Sequence, residues 1–240
     1  KNDFKKSVEY WSIAAGQGHI RSSIMLAYCY YVGIYFVKDI KKAISYLMPL
    51  AELKVLNAQL FLGYLYLEQK EFYDLNKSIN YLKLCAEKNN SDAQFKLGLI
   101  YYEGKHVKRD INKSIHYFTL AANQNDPISQ NYLGRLYDDG IYIPQDINKS
   151  IYYFTLSANL NNSDSLYRLG LIIYYKKIHK IKNSNILDFH DFKKAFSYWE
   201  LAANNNYGPA QCALASVYYE GKYIPRDMEK AIHLFKMASN

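Results

Sequence analysis

Hydrophobic and polar positions along this chain recur in a pattern that repeats about every 36 residues. Counted from an aspartate at position zero, apolar or small residues fall at +4, +5, +8, +11 and +12, a one-sided stripe at helical spacing. The aspartates are Asp3, Asp39, Asp74, Asp110, Asp146, Asp191 and Asp227, separated by 36, 35, 36, 36, 45 and 36 residues. A lysine follows each by three residues: Lys6, Lys42, Lys77, Lys113, Lys149, Lys194 and Lys230. Position +5 is Val8, Ile44, Ile79, Ile115, Ile151, Phe196 or Ile232, and position +8 is Trp11, Leu47, Leu82, Phe118, Phe154, Trp199 or Phe235. Seven Asp–Lys pairs in phase are an internal repeat.

The segment upstream of each aspartate is equally regular. Leu62-Gly63, Leu97-Gly98, Leu133-Gly134 and Leu169-Gly170 recur, with Leu26-Ala27 and Leu214-Ala215 as variants. Three residues later stands Tyr30, Tyr66, Tyr101, Tyr137 or Tyr218, with Ile173 as the exception, and Gly33, Gly104, Gly140 and Gly221 close the segment. Each unit therefore predicts two helices, the first carrying the Leu-Gly pair and the second opening at the aspartate as N-cap. Pro144 and Pro225 precede that cap in the loop, where they break no helical hydrogen bond. Glycine inside a helix costs about 1 kcal/mol against alanine, so its recurrence predicts two backbones crossing closely there. Pro49 lies within a second helix and predicts a kink. The fifth unit holds about nine extra residues between Tyr175 and Asp191, predicting a loop insertion.

One helical hairpin cannot bury its own apolar face, whereas stacked hairpins share a continuous core. The expected fold is all-α: a solenoid of about six and a half repeats. Its boundaries are a leading half repeat at 1–19 and repeats at 20–55, 56–90, 91–125, 126–161, 162–206 and 207–240. Neither end carries an obvious polar cap, so further repeats or domains are expected to flank this single solenoid domain.

Composition narrows the function classes. Half of the 240 residues are hydrophobic and 16% aromatic, too apolar for a disordered chain. No uncharged apolar run approaches the roughly 20 residues of a membrane span. No signal peptide is visible either, and the compartment stays open. Three cysteines make no disulfide framework or zinc pattern. Repeat slots and inter-unit turns account for all eleven glycines, leaving none for a phosphate-cradling loop. Neither GxSxG nor HExxH occurs, so the expectation is a non-enzyme without cofactor or metal.

The run Ala93-Gln94-Phe95-Lys96-Leu97-Gly98-Leu99-Ile100-Tyr101-Tyr102-Glu103-Gly104, then Arg109-Asp110-Ile111-Asn112-Lys113-Ser114 and residues 117–122, resembles the Sel-one-like repeat (SLR) family. This family is a relative of the tetratricopeptide repeat. The resemblance extends over essentially the whole chain. It implies a right-handed superhelix whose first helices line a concave surface, and a role as adaptor or scaffold. Members serve in endoplasmic-reticulum-associated degradation and in bacterial signalling and host interaction. Some cysteine-rich members carry a disulfide per repeat; Cys29, Cys85 and Cys212 occupy unrelated slots here and depart from that pattern.

Slots −3, +1 and +4 from the Leu-Gly glycine point away from the packed stripe and supply the candidate binding residues. From them we take Tyr28, Tyr31, Tyr64, Phe95, Tyr102, Tyr167 and Tyr174 as an aromatic groove, with Asn131, Arg135 and Asp138 as its one polar rung. Such a surface suits a peptide or helical segment of a partner protein, while packing between neighbouring repeats is the competing role. Net charge +8 and a pI near 9.1 raise nucleic acid as the alternative partner. Seven of the 30 basic residues are the repeat lysine, however, and recur on second helices rather than clustering. The insertion, with Lys176, Lys177, His179, Lys180 and Lys182, is either a basic contact loop or a tolerated insertion.

Overall fold

A computed structural model describes the backbone of residues 2–105, 107–180 and 189–239, and the side chains of 3–105, 107–175 and 191–239. Among these, thirteen α-helices and one short 3-10 turn follow one another without a strand. Seven are second helices: α1 (Asn2–Gly16), α3 (Ile40–Glu52), α5 (Leu75–Glu87), α7 (Ile111–Ala122), α9 (Ile147–Asn159), α11 (Phe189–Asn204) and α13 (Met228–Ala238). Six are first helices: α2 (Ile20–Val32), α4 (Leu56–Glu68), α6 (Ser91–Glu103), α8 (Pro127–Asp139), α10 (Ser163–Lys180) and α12 (Gly208–Glu220). No helix of the described residues is long and apolar enough to cross a membrane.

The chain divides into two compact units, Lys1–Ser114 and Ile115–Asn240. In the first, α2 packs on α3 and α4 on α5, around a core of Leu26, Leu47, Leu62, Leu65 and Leu82. In the second, α8 packs on α9, α10 on α11 and α12 on α13, around Phe154, Leu166, Phe192, Trp199 and Leu214.

The repeated aspartate does what its spacing predicts in five places. Asp39, Asp74, Asp110, Asp146 and Asp227 each accept the N–H of the lysine three residues on, at 2.9 to 3.0 Å. Asp3 and Asp191 differ. Both lie inside the first turn of a helix that begins earlier, at Asn2 and Phe189, so neither is the cap.

The Asp, Lys and Tyr slots turn out to be one clasp. The aspartate N–H donates to the carbonyl of the first-helix tyrosine, as in Asp74 to Tyr66 at 2.8 Å and Asp146 to Tyr137 at 2.9 Å. The lysine then lays its ammonium over that tyrosine's ring at 5.0 to 5.2 Å, in the pairs Lys42–Tyr30, Lys77–Tyr66, Lys113–Tyr101, Lys149–Tyr137 and Lys230–Tyr218. Four of these lysines also reach the aspartate carboxylate, at 3.0 to 3.6 Å. Tyr46, Tyr81 and Tyr153 of the second helices stack on Tyr30, Tyr66 and Tyr137. Each cation–π contact adds about 0.5–1 kcal/mol at an exposed site.

The Leu-Gly glycine has a different cause from the expected backbone crossing. Its missing Cβ makes room for the large side chain at +8 of the following helix. A Cβ at Gly134 would stand 2.5 Å from Phe154 Cδ1, and one at Gly170 would stand 2.5 Å from Trp199 Cδ1. Gly63 is filled more loosely by Leu82, at 3.0 Å. The turns into four of the six first helices are braced by a buried glutamine: Gln59, Gln94, Gln130 and Gln211 donate Nε2 to the carbonyls of Ala51, Ala86, Ala122 and Ala203. In three of these turns Asn89, Asn125 and Asn206 take the left-handed conformation, with φ near +60°, as does Asn161 in the turn into α10; Lys54 takes it in the Gln59 turn. Asparagine tolerates that region better than other side chains with a Cβ.

Helix α3 continues three residues beyond Pro49, to Glu52. In the fifth unit α10 runs 18 residues, so part of the extra length is helical. The rest of the expected insertion, 181–188, lies outside the described residues.

Gly170→Ala should lower stability by about 1–3 kcal/mol, because Trp199 is enclosed and its N–H is already bonded to the Tyr167 carbonyl. Gly208→Ala, whose Cβ would meet nothing nearer than 3.5 Å, should leave stability level or raise it. Urea unfolding of both variants checks the pair. Ser150 is fully buried with its hydroxyl unpartnered, in the slot that Ala43, Ala195 and Ala231 fill equally buried. Ser150→Ala should therefore raise stability by about 1 kcal/mol, read from the same unfolding midpoints.

Candidate interaction surface

The groove slots distribute unevenly between solvent and packing. Tyr28 is 46% exposed. Tyr31 is half-buried, edge-on to Phe61 at 5.4 Å, with Lys38 over its ring. Tyr64 is half-buried beneath the Lys96 ammonium, which is itself ion-paired to Glu68 at 3.0 Å. Burial, together with the Asp92 and Glu68 carboxylates, pushes its hydroxyl up to about 12. Phe95 and Tyr102 are half-buried as well. In the first unit Tyr31 and Tyr64 thus bridge neighbouring first helices, and all five side chains keep part of their surface in solvent.

In the second unit Tyr167 and Tyr174 wall an open cleft between α10 and α12. Its volume is about 320 Å³, with Leu171, Val217 and the enclosed Trp199 at its base and Glu220 at its rim. The Trp199 indole N–H donates to the Tyr167 carbonyl at 3.1 Å, fixing the floor. Tyr174 leans on Trp199 at 5.3 Å and on Tyr223 at 6.0 Å. Burial pushes its hydroxyl up to about 12, with Tyr223 and the Glu220 carboxylate adding to the shift. It stays a protonated donor at neutral pH.

The polar rung on α8 separates into three roles. Asn131 is only 6% exposed; its amide donates to Asp164 Oδ2 and Ser165 Oγ, both at 2.8 Å, and so ties α8 to α10. Asp138 faces Arg168 at 3.7 Å. Burial raises its carboxyl, Arg168 opposes that, and Asp139 adds to it. Arg135 sits between these two on the same face, its guanidinium 5.8 Å above Tyr132 and its Nε buried without an acceptor.

Three residues complete this network that the sequence reading passed over. Asp164 accepts from Asn131, from Arg168 Nε at 3.0 Å and from the Tyr207 hydroxyl at 2.6 Å. Burial pulls the Asp164 carboxyl upward. The bonds from Tyr207 and Asn131 and the Arg168 charge outweigh it and hold the group below its ordinary value. Tyr207 is raised by burial and by the carboxylate it donates to. Asp164 and Arg168 stand at i and i+4 on one predicted helix, a signal for an ion pair. Tyr207 carried no such signal, because it lies 43 residues from its partner.

Among the described residues no group of three or more His, Cys, Asp or Glu side chains could hold a metal ion. Cys29 and Cys85 are buried, and burial pushes the Cys85 thiol up to about 11, away from the reactive thiolate.

Tyr207→Phe should cost about 1.5–3 kcal/mol at pH 7, the worth of a hydrogen bond to a charged group. Asp164 titrates lower in the folded than in the unfolded chain, so its contribution is complete above the ordinary value of 3.8 and is lost as pH falls through the folded value. The gap between variant and parent should accordingly close below that range, as pH-dependent unfolding curves will show.

Comparison with known proteins agrees with this geometry. The Sel1 repeat model matches residues 1–19, 21–53, 56–90, 91–126, 127–162, 189–207 and 208–240. Among solved structures, c5321 of uropathogenic Escherichia coli, a protective antigen displaying an SLR fold, is similar at TM-score 0.81 and 25% identity. The match covers 96% of this chain and 48% of that one, so the chain spans about half the length of that relative. A Sel1 repeat protein from Oxalobacter formigenes is similar at TM-score 0.76 and 25% identity, covering 92% of this chain and 87% of that one. No curated protein sequence matches. Sel1 repeats are commonly protein-interaction modules and generally non-catalytic. With stacked helical hairpins, repeat-wide matches and SLR-fold neighbours in agreement, the chain belongs to the Sel1 repeat family.

Proposed function

We propose that this chain is a non-catalytic scaffold or adaptor whose first-helix face holds a peptide or helical segment of another protein. The observation that carries the reading is the open aromatic cleft between α10 and α12, with Tyr167 and Tyr174 as walls. Tyrosine walls give apolar contact area together with a hydrogen-bonding tip, which is what a protein segment requires. Tyr28, Tyr31, Tyr64, Phe95 and Tyr102 extend the same slots through the first unit. Asn131 acts as the support of this face, while Arg135 and Asp138 set the register of what binds. A receptor built of braced helices loses little freedom on binding, so modest contacts over several rungs add up.

Binding of nucleic acid through the positive charge is the weaker reading. Five of the seven repeat lysines lie over their own tyrosine rings, and four of those also pair with aspartate. A carboxylate, Glu220, stands at the rim of the aromatic cleft, where a phosphate would be repelled.

Affinity capture with the chain as bait, followed by mass spectrometry, identifies the partner, and calorimetry then ranks variants. Arg135→Ala and Asp138→Ala should each weaken that partner about tenfold, or about 1.4 kcal/mol, with melting temperature nearly unchanged. Unchanged binding with a large loss of stability would make the rung structural. A gel-shift affinity that falls steeply with salt would instead favour nucleic acid.

A further inference from the structure

We infer that the second unit recognises an extended protein segment carrying an acidic residue, a large apolar residue and a basic residue in succession, read by Arg135, the α10–α12 cleft and Glu220. The inference deepens the proposed function and rests on it.

Position on the fold carries the argument. Asn131, Arg135 and Asp138 fall at i, i+4 and i+7 of α8, and the outer two make contacts to α10 through Asp164, Ser165 and Arg168. Arg135 therefore lies on the α8 face turned toward α10. Its slot continues as Leu171 on α10 and Ser216 on α12, both of which line the cleft. Along this row the chemistry changes from cation to apolar slot to anion. Glu220, one turn beyond Ser216, is exposed at the far rim.

Among the described residues the charge at the two ends is without an ionic partner, unlike the charge between them. Arg168 and Asp164 are ion-paired at 3.0 Å, and Asp138 faces Arg168. Among the described residues neither Arg135 nor Glu220 has an ion pair, and the buried Arg135 Nε lacks an acceptor. The enclosed Nε is out of a ligand's reach, so a carboxylate arriving at the half-buried guanidinium takes its charge-assisted hydrogen bonds from the terminal nitrogens. The cleft of about 320 Å³, floored by Trp199, has room for one aromatic or branched aliphatic side chain.

Spacing fixes the register. Packed neighbouring helices stand about 10 Å apart, so Arg135 and Glu220, two first helices apart, are separated by roughly 20 Å. An extended segment rises about 3.3 Å per residue, which places the acidic and basic residues about three positions either side of the anchor. Glu220 excludes a polyanion from the same path, and Arg135 excludes a polycation.

The test uses three labelled peptides in a Gly/Ser background, with the charged residues about three positions from a central Trp: Glu–Trp–Lys, Glu–Trp–Glu and Lys–Trp–Lys. This set is independent of the direction in which the segment runs. By fluorescence anisotropy the mixed peptide should bind the full chain at least about tenfold more tightly than either single-charge peptide, an advantage of about 1.4 kcal/mol. Arg135→Glu should make Lys–Trp–Lys the tightest ligand, and Glu220→Lys should make Glu–Trp–Glu the tightest. Arg135→Gln, which keeps the polar stem, should remove the preference without inverting it, with melting curves verifying that each variant is folded. Absence of binding by all three peptides, or a ranking unmoved by both charge reversals, overturns the inference. If a partner captured by the parent chain still binds both reversed variants unchanged, this assignment falls while the protein-binding reading stands. Tight binding of a single-stranded oligonucleotide that falls steeply with salt and is lost on Arg135→Glu would overturn both.

Discussion

Much of the regularity in this molecule depends on one steric fact: in three hairpins the side chain at the eighth position of the second helix sits where a Cβ on the first-helix glycine would be, while Ala27 and Ala215 fill that slot in two others. Phe154 lies against Gly134 and Trp199 against Gly170, close enough to forbid any other residue without displacement. That seating brings the two helices of a hairpin together at one fixed point. Once they meet there, the tyrosine one turn further along the first helix comes under the lysine of the second. The aspartate N–H reaches the tyrosine carbonyl at the same time, and the glutamine brace ties the start of the hairpin to the second helix before it. The polar clasp is individually modest, since exposed ion pairs contribute 0 to about 1 kcal/mol. Its value lies in repetition and in holding the loop end, where apolar burial is thin.

Where the pattern lapses, the local architecture changes with it. The fifth first helix has Ile173 in place of tyrosine, so Lys194 lacks the ring that this slot supplies in the other units. This is also the unit in which the first helix lengthens to 18 residues and the second begins before its aspartate. Polar ties from outside the pattern hold this region. Asn131, Asp164, Arg168 and Tyr207 connect α8, α10 and the turn before α12, a job that apolar side chains do elsewhere. Leaving the Asp164 carboxylate half-enclosed is tolerable only because several donors converge on it.

Much of this was legible in the sequence. Helix number, helix order and five of the seven caps follow from the spacing of Asp, Lys and Leu-Gly, because those features are local and repeated. The glycine was legible as a close contact but not in its cause, since a single sequence shows which slot is small and not what fills it. The tyrosine and the lysine were seen as separate marks, although their contact is set by how two helices pack. The left-handed asparagines were passed over, although Asn89, Asn125, Asn161 and Asn206 each stand fifteen residues after an aspartate. Least legible was the polar rung, because Asn131 and Tyr207 meet Asp164 across 33 and 43 residues, and such partners leave no local trace.

The clasp has a consequence for how the chain condenses. Lysine and tyrosine in each pair are only eleven or twelve residues apart, and glutamine and its alanine only eight. Closing such short loops takes little entropy, and contacts of low sequence separation favour fast folding. Any hairpin can therefore serve as the nucleus, with its neighbours zipping on from either side. The Asn131–Asp164–Tyr207 seam is the late step, since it forms only after three successive hairpins have docked.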